Sequence, residues 1–236
     1  TWANLPNAFN AFFLDPPTQN RLRMMVIDDY LFEHRPDELT PNTIFVLTGD
    51  EYRRAVEHPV IDIDVPIHVI PYPDGRPGFV FARFRYSPGA ADFFEAEQRK
   101  RREPVVSTIE LDGRTTTISH PKFDEGSIED VFDGNLESLA RTLDADPCVL
   151  VFRFEEPRPV EGVRINVWTP TYVLGLQVET ADGTVVEATE EVDDPEPFSF
   201  RELRLPAAVS TATAVRVTID KRGDNKTHLQ EITILE

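Results

Sequence analysis

The residues best suited to metal or acid–base chemistry are five histidines, His34, His58, His68, His120 and His228, and no two of them stand i, i+4 or in an H-x-H pair. That spacing argues against a zinc-type catalytic centre. G-x-S-x-G, phosphate-loop and G-x-G-x-x-G motifs are also absent, so neither a nucleophile elbow nor a nucleotide cradle is present. Asp28 and Asp29 form a carboxylate pair, but neighbours on a helix point about a hundred degrees apart and do not close on one substrate. They read as a solvated helix face. Among 42 acidic residues no further pair stands out as a glycosidase couple, and no catalytic residue is assigned. The sole cysteine, Cys148, rules out an intrachain disulfide and begins the apolar run CVLVFRF, so it reads as a small buried hydrophobe and not as a reactive thiol.

Composition narrows the class of partner. Lys and Arg number 24 against the 42 Asp and Glu, a formal net charge of −18 over 236 residues, which disfavours binding to a nucleic-acid backbone. The same acidity suits solubility, cation attraction and an exposed cell-surface position. No apolar run approaches the roughly 18 residues that span a bilayer, and no signal peptide is recognisable. The first residue is Thr1, not Met, so the sequence reads as a piece of a longer protein.

Two textures follow each other along the chain. Residues 1–103 mix helix and strand. Pro16-Pro17 followed by Leu22, Met25, Val26 and Tyr30 predicts one helix ending before Pro36; NTIFVLT predicts a strand; Thr48 and Glu51 predict a capping box for the helix GDEYRRAVEH. Two extended segments flank the Pro73-Asp74-Gly75 turn. A helix then closes in Arg99-Lys100-Arg101-Arg102, which faces either an anionic surface or simply the negative end of its own helix. Residues 104–236 are short β-rich runs with hairpin signals at Asp112-Gly113 and Asp182-Gly183, the pattern of an antiparallel sandwich. The fold class is therefore a two-domain α+β chain: a small α/β domain, then an all-β sandwich.

The phrases EDVFDGN…S, PRPVEGVRI, LQVETADGT and LQEITIL, in that order, resemble discoidin (factor 5/8 type C) domains and galactose-binding-like carbohydrate modules over residues 105–236. The resemblance implies a jelly roll with a structural calcium ion held by Asp133, oxygens at Asn135 and Ser138, and Glu231 of the last strand. Ca²⁺ takes 6–8 hard oxygen ligands from irregular loops, although Asp133-Gly134 also reads as an ordinary turn and Glu231 as a solvated strand position. Where the family places Trp after the serine, this chain has Leu139-Ala140-Arg141, which implies a reshaped loop. The resemblance further implies a sugar site at strand-end loops, carried here by Arg164, Asn166, Trp168, Tyr172, Arg222 and Asn225. Against that, Trp168 also reads as a plug in the sandwich end, and Arg164 and Asn166 as outward strand positions. NKT at Asn225 matches a glycosylation sequon, a motif short enough to arise by chance.

NTIFVLTGDEYRRAV and IHVIPYPDGRPGFVFARFRY look like the soluble tail of polytopic glycosyltransferases of the protein-mannosyltransferase and aminoarabinose-transferase kind, over residues 28–86. The function expected on these grounds is a non-catalytic, extracytoplasmic fragment of a membrane glycosyltransferase, tethered through an upstream membrane region, that binds glycan, glycolipid or a partner surface. Two alternatives stay open: a purely structural interaction module, and a free-standing hydrolase.

Overall fold

A computed structural model of the chain describes residues 15–19, 21–23, 25–169, 171–193, 199–223 and 226–236. The chain divides into two compact units, Thr1–Ala96 and Glu97–Glu236.

In the first unit the single helix predicted ahead of Pro36 is two short ones, α1 (Pro16–Gln19) and α2 (Ile27–Phe32). Leu22 and Met25, half of the predicted apolar stripe, are 46% and 40% exposed. Short helices hold only where packing buries one face, and here Ile27 and Tyr30 gain that burial. β1 (Phe45–Thr48) leads into α3 (Gly49–Glu57) through the predicted capping box: Glu51 N donates to Thr48 Oγ1 at 3.3 Å, and Thr48 N donates to Glu51 Oε2 at 2.8 Å. Next come β2 (Ile61–Ile63), β3 (His68–Pro71), β4 (Pro77–Ala82) and β5 (Phe84–Tyr86), arranged as a β1-β4-β3 sheet and a β2-β5 pair. Ile27, Tyr30, Leu47, Ala55, Ile61 and Phe84 make the core.

A helix α4 (Ala90–Arg102) follows, and the division between units falls inside it. Its basic end is locally occupied. Lys100 Nζ meets Glu97 at 2.7 Å, while Arg101 and Arg102 both reach Asp144 at 3.3 Å. The cations thus sit where the helix end favours them and are further matched by carboxylates.

The second unit is an antiparallel sandwich, as predicted. Its strands are β6 (Val105–Leu111), β7 (Arg114–His120), β8 (Phe123–Glu125), β9 (Ala140–Thr142), β10 (Cys148–Val167), β11 (Thr171–Thr180), β12 (Val185–Asp193), β13 (Phe200–Lys221) and β14 (His228–Leu235). Where short runs were expected, Cys148–Val167 is one 20-residue strand and Phe200–Lys221 one of 22 residues. Each long strand serves both layers. Cys148–Arg153 pairs with 214–219 and, through Val151–Phe154, with β7; Gly162–Asn166 pairs with 200–204 and β14. One layer therefore runs β12-β11-β13-β10-β7-β6, and the other β13-β10-β14-β9-β8.

Between the layers lies a single core. Phe152, Leu150, Ile165, Leu174, Leu176, Val217 and Ile219 are fully buried, as is Cys148, whose thiol burial pushes up to about 12. The Asp112-Gly113 hairpin signal is realised as two left-handed residues, φ 53° and 72°, joining β6 to β7. Gly126 has a tighter requirement. Its φ is +72°, and a Cβ there would lie 1.9 Å from the carbonyl oxygen of Leu139.

Gly126→Ala is therefore expected to lower unfolding stability by about 2 kcal/mol or more, measured by urea titration. Gly134→Ala shares a positive φ of +71° but meets open space, and should cost only about 1 kcal/mol. Equal losses would sink the close-approach explanation.

Candidate functional site

The inward positions of β10 in the second layer are Val163, Ile165 and Val167; alternation therefore turns Arg164, Asn166 and Trp168 to the outer face. Trp168 stands just past the strand end. Its backbone N–H donates to His228 O at 2.9 Å, and its side chain is left 46% exposed. The indole lies 5.6 Å from the His228 imidazole, centroid to centroid.

His228 begins β14 directly opposite Arg141 of β9, so their side chains share a face. Arg141 Nε donates to Asp124 at 2.8 Å and its Nη1 reaches Glu125 at 3.0 Å. Lys226 also ends on Asp124. The result is one row across β10, β14, β9 and β8: an indole, an imidazole, then a guanidinium and an ammonium fixed by carboxylates. Burial alone would raise the Asp124 pKa, but hydrogen bonds from Arg141 and Lys226 outweigh it and hold the carboxyl below the ordinary range. An exposed ring with fixed donors and acceptors beside it suits a small polar ligand that also has an apolar face.

The six residues predicted for a ligand site do not all meet there. Arg164 is exposed, with its guanidinium 3.9 Å over the Phe200 ring, and sits four residues before Trp168, roughly 13 Å along the strand. Asn166 is on the same face but fully buried, opposite both Phe200 and Glu231. Tyr172 is 3% exposed and belongs to the core between the layers, which removes its ring from the surface. Arg222 is drawn to Glu191 at 2.9 Å. Asn225 lies outside the described residues. Sequence reasoning passed over Arg141 and Asp124 because β8 and β9 are three residues each and too short to show any period; His228, at the head of β14, and Lys226, just before it, were passed over because only pairing with β9 and contact with Asp124 bring them to the row.

The four residues predicted for a cation are brought together. Gly134 N donates to Glu231 Oε2 at 3.0 Å, across 97 residues of sequence. Asn135 N donates to Asp133 Oδ1 at 2.8 Å, and the Ser138 hydroxyl lies 2.7 Å from Asp133 Oδ2 and 2.6 Å from Asn135 O. The side-chain amide of Gln230 donates to Leu136 O at 3.0 Å, seating the loop on β14. Burial pushes the Glu231 pKa up, the Gly134 amide pulls it back, and the Asp133 charge pushes it further; no basic side chain is among the influences on it. Among the described residues no group of three or more His, Cys, Asp or Glu is placed to hold a metal ion. A cation here would draw on two carboxylates and on amide, hydroxyl and carbonyl oxygens, a set that fits a hard divalent ion.

No family model matches the chain, and no curated protein does. Among solved structures, the CBM32 of AlyQ in complex with 4,5-unsaturated mannuronic acid is 13% identical with a TM-score of 0.43, covering 55% of this chain and 98% of that one. An F5/8 type C domain from Bacteroides fragilis is 12% identical at 0.43, over 55% and 95%. A chitosan-binding module of a chitosanase/glucanase from Paenibacillus sp. IK-5 is 20% identical at 0.39, over 52% and 95%. With likeness at that level, the sandwich is defined by its own strand register.

Asp124→Asn should lower the melting midpoint at pH 7, since it removes the charge that fixes both Arg141 and Lys226. The depressed pKa contributes stability above the unfolded value and loses it as pH falls through the folded one, so the gap between wild type and variant should begin to close as pH falls below about 4. A pH-independent gap would mean that the ion pairs contribute nothing.

Proposed function

We propose that the second unit is a glycan-binding module whose platform is Trp168, flanked by His228 and by the Arg141–Asp124–Lys226 cluster. The observation that supports this best is the indole left 46% exposed at a strand end, beside polar groups already fixed by one another. The apolar face of a pyranose stacks on such a ring, and hydroxyls meet donors and acceptors that need no reordering. The site, and not the likeness to carbohydrate-binding modules, carries the reading.

Trp168→Ala should weaken binding of an oligosaccharide identified on a glycan array by about tenfold or more in calorimetry, a loss of roughly 1.4 kcal/mol, with thermal stability nearly unchanged. Silence of the wild-type protein across neutral, uronic and amino glycans would defeat the proposal.

A structural calcium ion belongs to the same reading. Asp133 and Glu231 would hold it with the oxygens of Asn135 and Ser138, and it would supply the positive charge that lets two carboxylates share the join between loop and last strand. Millimolar Ca²⁺ should raise the melting midpoint of the wild type, and EDTA should reverse it. Glu231→Gln keeps an acceptor for Gly134 but loses the charge, and should abolish the response. An equal response in wild type and variant would place any ion elsewhere.

The setting proposed for this module is the extracytoplasmic side of a membrane glycosyltransferase. That setting rests on the resemblance of residues 28–86, and an upstream reading frame rich in membrane-spanning segments is what it requires.

A further inference from the structure

The first unit carries a groove with the form of a strand acceptor. β2 pairs with β5 on one side. Asp64 N donates to Arg83 O at 3.0 Å and Ser87 N to Val60 O at 3.1 Å, so the amides of Val60, Asp62 and Asp64 face the β5 side and those of Ile61, Ile63 and Val65 face away. Ile61 N is taken by His58 O at 3.4 Å. The outward N–H and C=O groups of Ile63 and Val65 make no hydrogen bond among the described residues.

Those groups border a groove of about 600 Å³ between β2 and α3, with Tyr52, Val56, Ile61, Ile63 and Val65 in its lining. Much of that apolar surface is presented to solvent: Val56 is 52% and Val65 is 86% exposed. An open strand edge beside an apolar groove matches an incoming strand, with main-chain bonds on the edge and alternate side chains in the groove.

Charge selects the occupant. Asp62 and Asp64 line the same groove, and among the described residues the cation ion-paired to them is Arg85, at 3.8 Å and 3.1 Å, so the charged residues of the lining sum to a negative balance. A second copy would set Asp62 and Asp64 against their own kind, the device by which natural edges refuse each other. A strand carrying Lys or Arg meets no such penalty. We propose that the groove between β2 and α3 binds an extended basic peptide as an added strand, with its apolar side chains against Val56 and Val65 and its cations against Asp62 and Asp64.

The test uses the whole chain and a labelled heptapeptide of alternating valine and threonine with lysine at both ends. Fluorescence anisotropy should show saturable binding below about 1 mM, and either glutamate ends or N-methylation of alternate amides should weaken it about tenfold. Ile63→Pro removes an outward amide that takes no part in the β2–β5 ladder, and should weaken binding equally. Val65→Ser, which removes the apolar contact without changing the charge at a position too exposed to trouble folding, should do the same and serves where the proline variant melts early. Absence of binding to about 1 mM overturns the proposal, as does binding indifferent to N-methylation and to both variants. Concentration-dependent dimerisation abolished by Val65→Ser would replace the peptide with a second copy and also overturn it.

Discussion

The sandwich depends on two strands that pair with each other while passing from one layer to the next. β10 and β13 stay antiparallel from Cys148↔Ile219 to Asn166↔Phe200, and the register shifts between Arg153 and Gly162. The cause is in the residues. Pro157 and Pro159 in β10 and Pro206 in β13 have no amide to give, so a continuous ladder cannot run through that stretch, and the strands bend where the bonds are missing. Arg158 fills the bend. Its side chain is 3% exposed, lies 3.8 Å over the Phe154 ring and has Nε 3.6 Å from Glu236. Burying a guanidinium is costly, and the aromatic face together with one carboxylate offsets only part of it, since burial still pulls the Arg158 pKa down.

From that bend follows everything on the outer face of the second layer. From Gly162 to Asn166 the register is regular again, so alternation sends Val163 and Ile165 inward and Arg164 and Asn166 out; a second shift against β14 follows between Asn166 and Val167, and Trp168, past the strand end, is left exposed. The same register sets Asn166 opposite Glu231, and Glu231 under the loop at Asp133–Ser138. A slip of one residue would bury Arg164 and Trp168 and expose the core. The aromatic row and the paired carboxylates are thus two consequences of one alignment, with Asn166 buried between them.

How much of this was legible varies with the length of the signal. The β-rich texture of residues 104–236 announced an antiparallel sandwich because runs such as CVLVFRF and LQEITIL recur along it, and Thr48 with Glu51 announced a cap because that motif is entirely local. The helix expected ahead of Pro36 failed because its stripe of Leu22 and Met25 finds nothing to pack against, which is a tertiary fact. Arg141 and Asp124 escaped notice for the opposite reason: each sits in a three-residue strand whose place is set by its neighbours. Asp133 and Glu231 could be paired on paper only through a family likeness. No local rule links positions 98 residues apart.

Charge is arranged differently at the two ends of the chain's chemistry. With 24 basic residues against 42 acidic ones, most cations are committed near home: Arg101 and Arg102 to Asp144, Arg222 to Glu191, Arg204 to Glu161 and Glu202. Exposed pairs of this kind add little stability, but they leave few cations to attract an anionic partner. The row at Trp168 answers with its own small balance of Arg141 and Lys226 against Asp124 and Glu125, which favours a ligand read by hydroxyls and an apolar face over one read by charge. Along β2, where one arginine faces two aspartates, the imbalance persists, and an acidic strand edge discourages its own kind while leaving room for an opposite one.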